Sequence, residues 1–132
     1  MLPKTARMRS SEEFRSAMRH GVRTGRATLV VHASRVEPSD RHATLGTEVR
    51  VGFVVSKAVG NAVTRNRVKR RLRHLAAEAL AATPPGTRVV VRALPRAATN
   101  PSELPDDLDK AWEKALHRLT ERQPVVSRRS RP

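Results

Sequence analysis

The chain has 132 residues, room for one domain and too few for two. Its 38% apolar content predicts a modest core of aliphatic side chains, because Phe14, Phe53 and Trp112 are the whole aromatic inventory. Lys and Arg total 27 against 12 acidic residues, a net charge of +15 that repels itself until a polyanion relieves it. There is no cysteine, which excludes a disulfide framework and a thiolate metal site. No apolar run approaches the ~20 residues of a membrane span, and the basic N-terminus lacks the apolar stretch of a secretory signal, so a cytoplasmic location is expected.

Residues 1–9 are basic and aperiodic and are predicted to form a flexible arm. Ser10 followed by Glu13 is a capping-box pattern, and Phe14, Ala17 and Met18 recur at helical spacing behind it, so a helix is predicted over 10–20, stopped near Gly21. The run 27–36 is β-rich and predicts a strand; the polar stretch after it leaves room for one more in the 37–46 region. In 48–57, Val49, Val51, Phe53 and Val55 alternate strictly, with Gly52 on the other face where a backbone or ligand can approach. From Asn61 the period lengthens: Val68, Leu72, Leu75 and Ala79 make a helical stripe running to about 82, ended by Pro84, Pro85 and Gly86. A short strand over 87–95 follows. The last helix starts near Pro105, with Leu108, Ala111, Trp112, Ala115, Leu116 and Leu119 on one face. Residues 123–132 have no period and are predicted to be a disordered basic tail. The order α-β-β(-β)-α-β-α over 10–122 predicts one α+β domain, a small mixed sheet with helices packed on it.

The middle helix carries the chemistry. With Val68 at zero and 100° per residue, Leu72, Leu75 and Ala79 fall within about 40°, whereas Asn66, Lys69, Arg70 and Arg73 fall between about 100° and 200°. Arg67 and His74 extend that second surface, and Arg65 and Arg71 flank the apolar stripe. From Lys57 to Arg73 there are seven basic side chains and no acidic one. Ordinary solvated helix faces mix charge signs, because opposite charges four residues apart attract. Cations in the first turns also oppose the helix dipole. An anion at the helix start, helped by backbone N–H groups near Gly60 and Asn61, offsets both costs, and nucleic-acid phosphate is the anion this pattern favours.

The segment SKAVGNAVTRNRVKRRLR resembles the signature of bacterial ribonuclease P proteins, approximately SKKxGNAVxRNRxKRxxR. The likeness extends from the helix end Phe14–Gly21 through RVGFVVSK to VVVRALP. It implies an α+β sandwich with a left-handed β-α-β crossover, a handedness that the general rule for such units would not predict. It also implies the function: binding the catalytic RNA of ribonuclease P and precursor tRNA, and assisting endonucleolytic removal of the 5′ leader. The implied RNA-binding residues are Lys57, Arg65, Asn66, Arg67, Lys69, Arg70 and Arg73. The implied leader-binding cleft matches Phe14, Met18 and His32. Aromatics are usual at all three places, so stacking contributes less here. For Phe14 and Met18, plain helix-to-sheet packing fits the residues equally well, as does an ordinary strand position for His32. Ala58 replaces a usual second lysine.

The resemblance implies no catalytic residue in the protein: the chemistry is RNA-borne, with Mg²⁺ held mainly by the RNA partner. The five histidines are scattered and there is no HExxH. No obligate protein partner and no membrane partner are expected. A ribosomal or general RNA-binding protein of similar fold would share the charge and the helix without preferring precursor tRNA. A self-sufficient metal-dependent nuclease would need clustered carboxylates. The one dense acidic run, Asp106, Asp107 and Asp109, sits at a helix start where capping and the dipole account for it.

Overall fold

The computed structural model describes residues 6–8, 11–35 and 49–129. Its elements are α1 (Ser11–His20), β1 (Val22–Gly25), β2 (Leu29–Arg35), β3 (Arg50–Val54), α2 (Ala62–Ala79), β4 (Thr87–Ala93), α3 (Arg96–Thr99) and α4 (Leu104–Arg129). Short 3₁₀ turns at Leu80–Ala82 and Pro101–Glu103 join them. The four strands form one mixed sheet in the order β1-β2-β4-β3. β2 pairs antiparallel with both β1 and β4, and β3 lies parallel to β4, so α2 is the crossover between two adjacent parallel strands.

Alternation along the strands divides the packing into two layers. Leu29, Val31, Ala33, Val51, Val89 and Val91 face one way, toward Val68, Leu72 and Ala76 of α2 and Leu108, Ala111, Trp112 and Ala115 of α4. Val90, with Val54 beside it, faces the other way, toward Ala17 and Phe14 of α1. The inner strands β2 and β4 are therefore buried on both sides, and each carries an uninterrupted aliphatic run, residues 29–31 and 89–91. Gly52 lies on the α1 face. A Cβ there would collide with Phe14 Cε1 and Cζ and stand 3.0 Å from Met8 Sδ, so the close approach expected at this glycine is made by a ring of the same chain.

Several expectations are corrected. The fourth strand is β1, directly after α1; the 37–46 region lies outside the described residues, as does the capping box at Ser10. β1 has no apolar alternation of its own. It is fixed from a distance, by Thr24 Oγ1 donating to the Ala111 carbonyl at 2.7 Å and by an Arg118 guanidinium N–H donating to the Arg23 carbonyl at 2.7 Å. Within the arm read as flexible over 1–9, Ala6 and Met8 are buried: Arg7 bridges to Val51 in parallel register, and the Met8 amide donates to the Val51 carbonyl at 3.0 Å. The last helix runs to Arg129, seven residues into the stretch read as a disordered tail.

Two polar connections hold the layers in register. Trp112 Nε1 donates to Thr83 Oγ1 at 2.9 Å, and that hydroxyl donates to the Ala79 carbonyl at 2.8 Å, tying α4 to the end of α2. Asp107 does more than complement a helix dipole. Its buried carboxylate accepts from the Thr28 hydroxyl at 2.6 Å and the Thr28 amide at 3.1 Å, with Arg26 Nε at 3.4 Å. Burial alone would raise its pKa, but the Thr28 and Arg26 contacts outweigh that and hold it below the usual carboxylate value.

A depressed carboxylate pKa stabilises the fold above the unfolded value and loses that contribution as pH falls through the folded one. Asp107→Asn should therefore cost about 1–3 kcal/mol at pH 7 and flatten the acid limb of stability below about pH 4, which thermal melts against pH would show. Leu72, fully buried, gives a pH-independent comparison: Leu72→Ala should lower unfolding free energy by about 2–5 kcal/mol in urea titrations.

Candidate nucleic-acid interface

The loop before α2 is a built turn. The Val59 amide donates to the Ser56 carbonyl at 3.1 Å and the Gly60 amide to the Lys57 carbonyl at 3.2 Å, while the Val59 side chain is buried in the core. That pins the loop and leaves Lys57 and Ala58 exposed. Gly60 has φ +158°, and a Cβ on it would stand 2.8 Å from Thr64 Cγ2. Asn61 caps the helix, its side-chain oxygen accepting from the Thr64 amide at 2.9 Å. No acidic residue stands in the first turn of α2, in contrast to α4, which opens with Asp106 and Asp107.

Along α2 the buried side chains are Val68, Leu72 and Ala76. Leu75 and Ala79 are only partly buried, so the core stripe is rotated from the one the sequence pattern predicts. The outward line shifts with it. Asn66, Arg67, Arg70, Arg71 and His74 are exposed, whereas Lys69 and Arg73 are half-buried at the flank. Arg65 departs most. It lies only about 60° from Val68 on the helix, and its Nε is buried and makes no hydrogen bond among the described residues. Sequence periodicity placed Arg65 beside the apolar stripe, and the structure leaves it half-buried there with its Nε covered.

The second candidate region lies between α1 and the sheet. Met18 is 36% exposed. Phe14 is half-buried with its ring over Gly52 and beside Met8. His32 lies on the same face, across from Arg23 on β1 and Val90 on β4. It is only 8% exposed, and its Nε2 is inaccessible and has no hydrogen-bond partner among the described residues. The three residues are thus gathered on one side of the sheet, but only Met18 and part of the Phe14 ring reach the surface. Among the described residues no three His, Asp or Glu side chains are grouped so as to hold a metal ion, and no helix is long and apolar enough to cross a membrane.

Comparison with known proteins agrees on one family. A family model described as Ribonuclease P matches residues 2–118. The chain is similar to the ribonuclease P protein component of Streptomyces bikiniensis, 52% identical over 119 residues that cover 88% of this chain and 96% of that one. It is 53% identical to the corresponding protein of Kocuria rhizophila over 119 residues, covering 89% and 98%. Among solved structures, a Staphylococcus aureus RNase P protein variant superposes with a TM-score of 0.73 at 22% identity, covering 85% of this chain and 89% of that one. The RNase P protein of Thermotoga maritima gives 0.62 at 21%, covering 79% and 92%. At those identities the structures bear on the fold.

Burial, with added repulsion from Arg23 and Arg92, lowers the pKa of His32 below the ordinary 6.5. The unfolded chain therefore takes up a proton near pH 6.5 that the folded chain refuses. The stability held by neutral His32 is complete above that pH and declines as pH falls toward the folded pKa. Melting temperatures measured from pH 7.5 to 5.5 should fall less for His32→Gln than for the parent. Parallel profiles would show that His32 is not the group responsible.

Proposed function

This chain belongs to the ribonuclease P protein family, the protein component of the ribonucleoprotein endoribonuclease that matures the 5′ end of tRNA, and from that membership we propose how its surfaces divide the work. The outward face of α2, with Lys57 in the preceding turn, binds the catalytic RNA. The groove between α1 and the sheet takes the single-stranded 5′ leader of precursor tRNA.

One observation supports the first assignment above the rest: Asn66, Arg67, Arg70 and His74 stand exposed on one line of a helix that carries no acidic residue in its first turn. Guanidinium groups there make bidentate contacts with phosphates, and the positive end of the helix dipole adds to the attraction. Lys69 and Arg73 extend the face at its flanks. Arg65, half-buried with its Nε covered, adds charge at the edge of the face. In the groove, Met18 offers an apolar contact to a leader base and Phe14 offers a ring edge held on Gly52. His32 supports them from beneath. Protein groups of this kind hold the substrate in geometry and neutralise phosphate repulsion, which is the share of catalysis that positioning supplies. We assign the Mg²⁺ of the reaction mainly to the RNA partner, where it supplies Lewis-acid chemistry and an activated water.

The purified protein, treated with nuclease to remove RNA, should leave precursor tRNA intact, and should raise cleavage when added to the cognate catalytic RNA at low Mg²⁺. Filter binding to that RNA should give a log–log salt slope near −4 to −5 if about five or six cations displace counterions. Arg67→Ala combined with Arg70→Ala should weaken binding and reduce the magnitude of the slope by about 2, with the melting temperature level or slightly higher as self-repulsion eases. Unchanged binding would remove this face from the RNA interface.

A further inference from the structure

Among the described residues two large apolar side chains are exposed: Met18 at 36% and Val63 at 65%. Met18 already stands at the leader groove. A lone exposed aliphatic is ordinary on a protein surface, and it is the placement of Val63 that carries information. Around it, Val59, Gly60, Asn61 and Thr64 have local structural duties. Val59 fills the core, Gly60 takes a positive φ against Thr64, and Asn61 caps the helix through the Thr64 amide. Val63 has no such duty. On an ideal helix it lies about 180° from Leu72, and within about 40° of Arg67, Arg70 and His74, all of them exposed. A β-branched side chain adds nothing to helix propensity there, and an apolar group inside a solvated cationic line gains nothing until something covers it.

We propose that Val63 is a further RNA-contact residue, which packs against the apolar surface of a nucleoside, a base face or the carbons of a ribose, in the catalytic RNA. The inference rests on the reading of the α2 face as the RNA interface. Arg67 and Arg70 would fix register through phosphates, and Val63, one turn earlier on the same line, would close on an adjacent nucleoside. Phosphate contacts position without discriminating, whereas an apolar contact with an unstacked base or a ribose depends on local RNA shape. The two kinds of contact also differ in their salt response. Phosphate contacts release counterions and apolar packing does not.

That difference supplies the test, made with the full chain and the cognate ribonuclease P RNA by filter binding across a salt series. Val63→Ala and the near-isosteric Val63→Thr should each bind about 3- to 15-fold more weakly with the salt slope unchanged, and Val63→Leu should stay within about twofold of the parent. Arg67→Ala is the control, expected to weaken binding and cut the slope by about 0.9. Because Val63 is exposed, all these variants should melt with the parent. If the Ala and Thr variants bind like the parent while Arg67→Ala binds weakly, the inference about Val63 is overturned and the interface stands. If Arg67→Ala and Arg70→Ala also bind like the parent, the interface reading is overturned together with it.

Discussion

Seven cationic side chains between Lys57 and Arg73 repel one another with no acidic neighbour in that stretch, and α2 keeps them in order because its other side is fixed to the core by Val68, Leu72 and Ala76. Side-chain burial of this kind contributes roughly 1.5–3 kcal/mol per aliphatic, whereas a surface charge pair changes stability by at most about 1 kcal/mol. Hydrophobic attachment therefore wins. The rest of the sheet follows from the same attachment, since α2 is the connection that brings β3 alongside β4. The neutral Asn61 cap suits this role: it satisfies the Thr64 amide without placing a carboxylate among the cations.

Much of this arrangement was legible in the sequence because its signals are local and periodic. The switch from period two in β3 to period 3.6 in α2, and the stripe of α4 ending at Leu119, correspond to the side chains found in the main core. What escaped is held by contacts between distant residues. β1, which shows no apolar alternation, pairs with β2 and is tied to α4 through hydrogen bonds spanning 87 and 95 residues. The burial of Ala6 and Met8 accompanies pairing with Val51, which no pattern within the first nine residues announces. Asp107 looked like a dipole residue because its partner, Thr28, lies 79 residues away.

The candidate site shows the same division. That one side of α2 is cationic was plain from spacing, but its exact rotation was not, since Ala76 is fully buried and Leu75 only partly so, a difference the apolar pattern does not announce. With that rotation Arg65 and Arg73 are both half-buried and Val63 stands exposed at the head of the outward line. Between α1 and the sheet, motif resemblance brought Phe14, Met18 and His32 together without their depths. Gly52 sets the depth of Phe14 by leaving space for its ring, and α1 covers the strand that bears His32.

The two outer strands have a bearing on how the molecule behaves at high concentration. A sheet margin with free carbonyls is a template for a foreign strand, and proteins that stay dispersed blunt it. Here the Val51 carbonyl of β3 is already taken by the Met8 amide, and the Arg23 carbonyl of β1 by the Arg118 guanidinium. The few residues before α1 thus serve as a guard strip for β3. Trimming the chain past Met8 would expose an aliphatic strand margin, so the shortened protein would become prone to edge-to-edge aggregation.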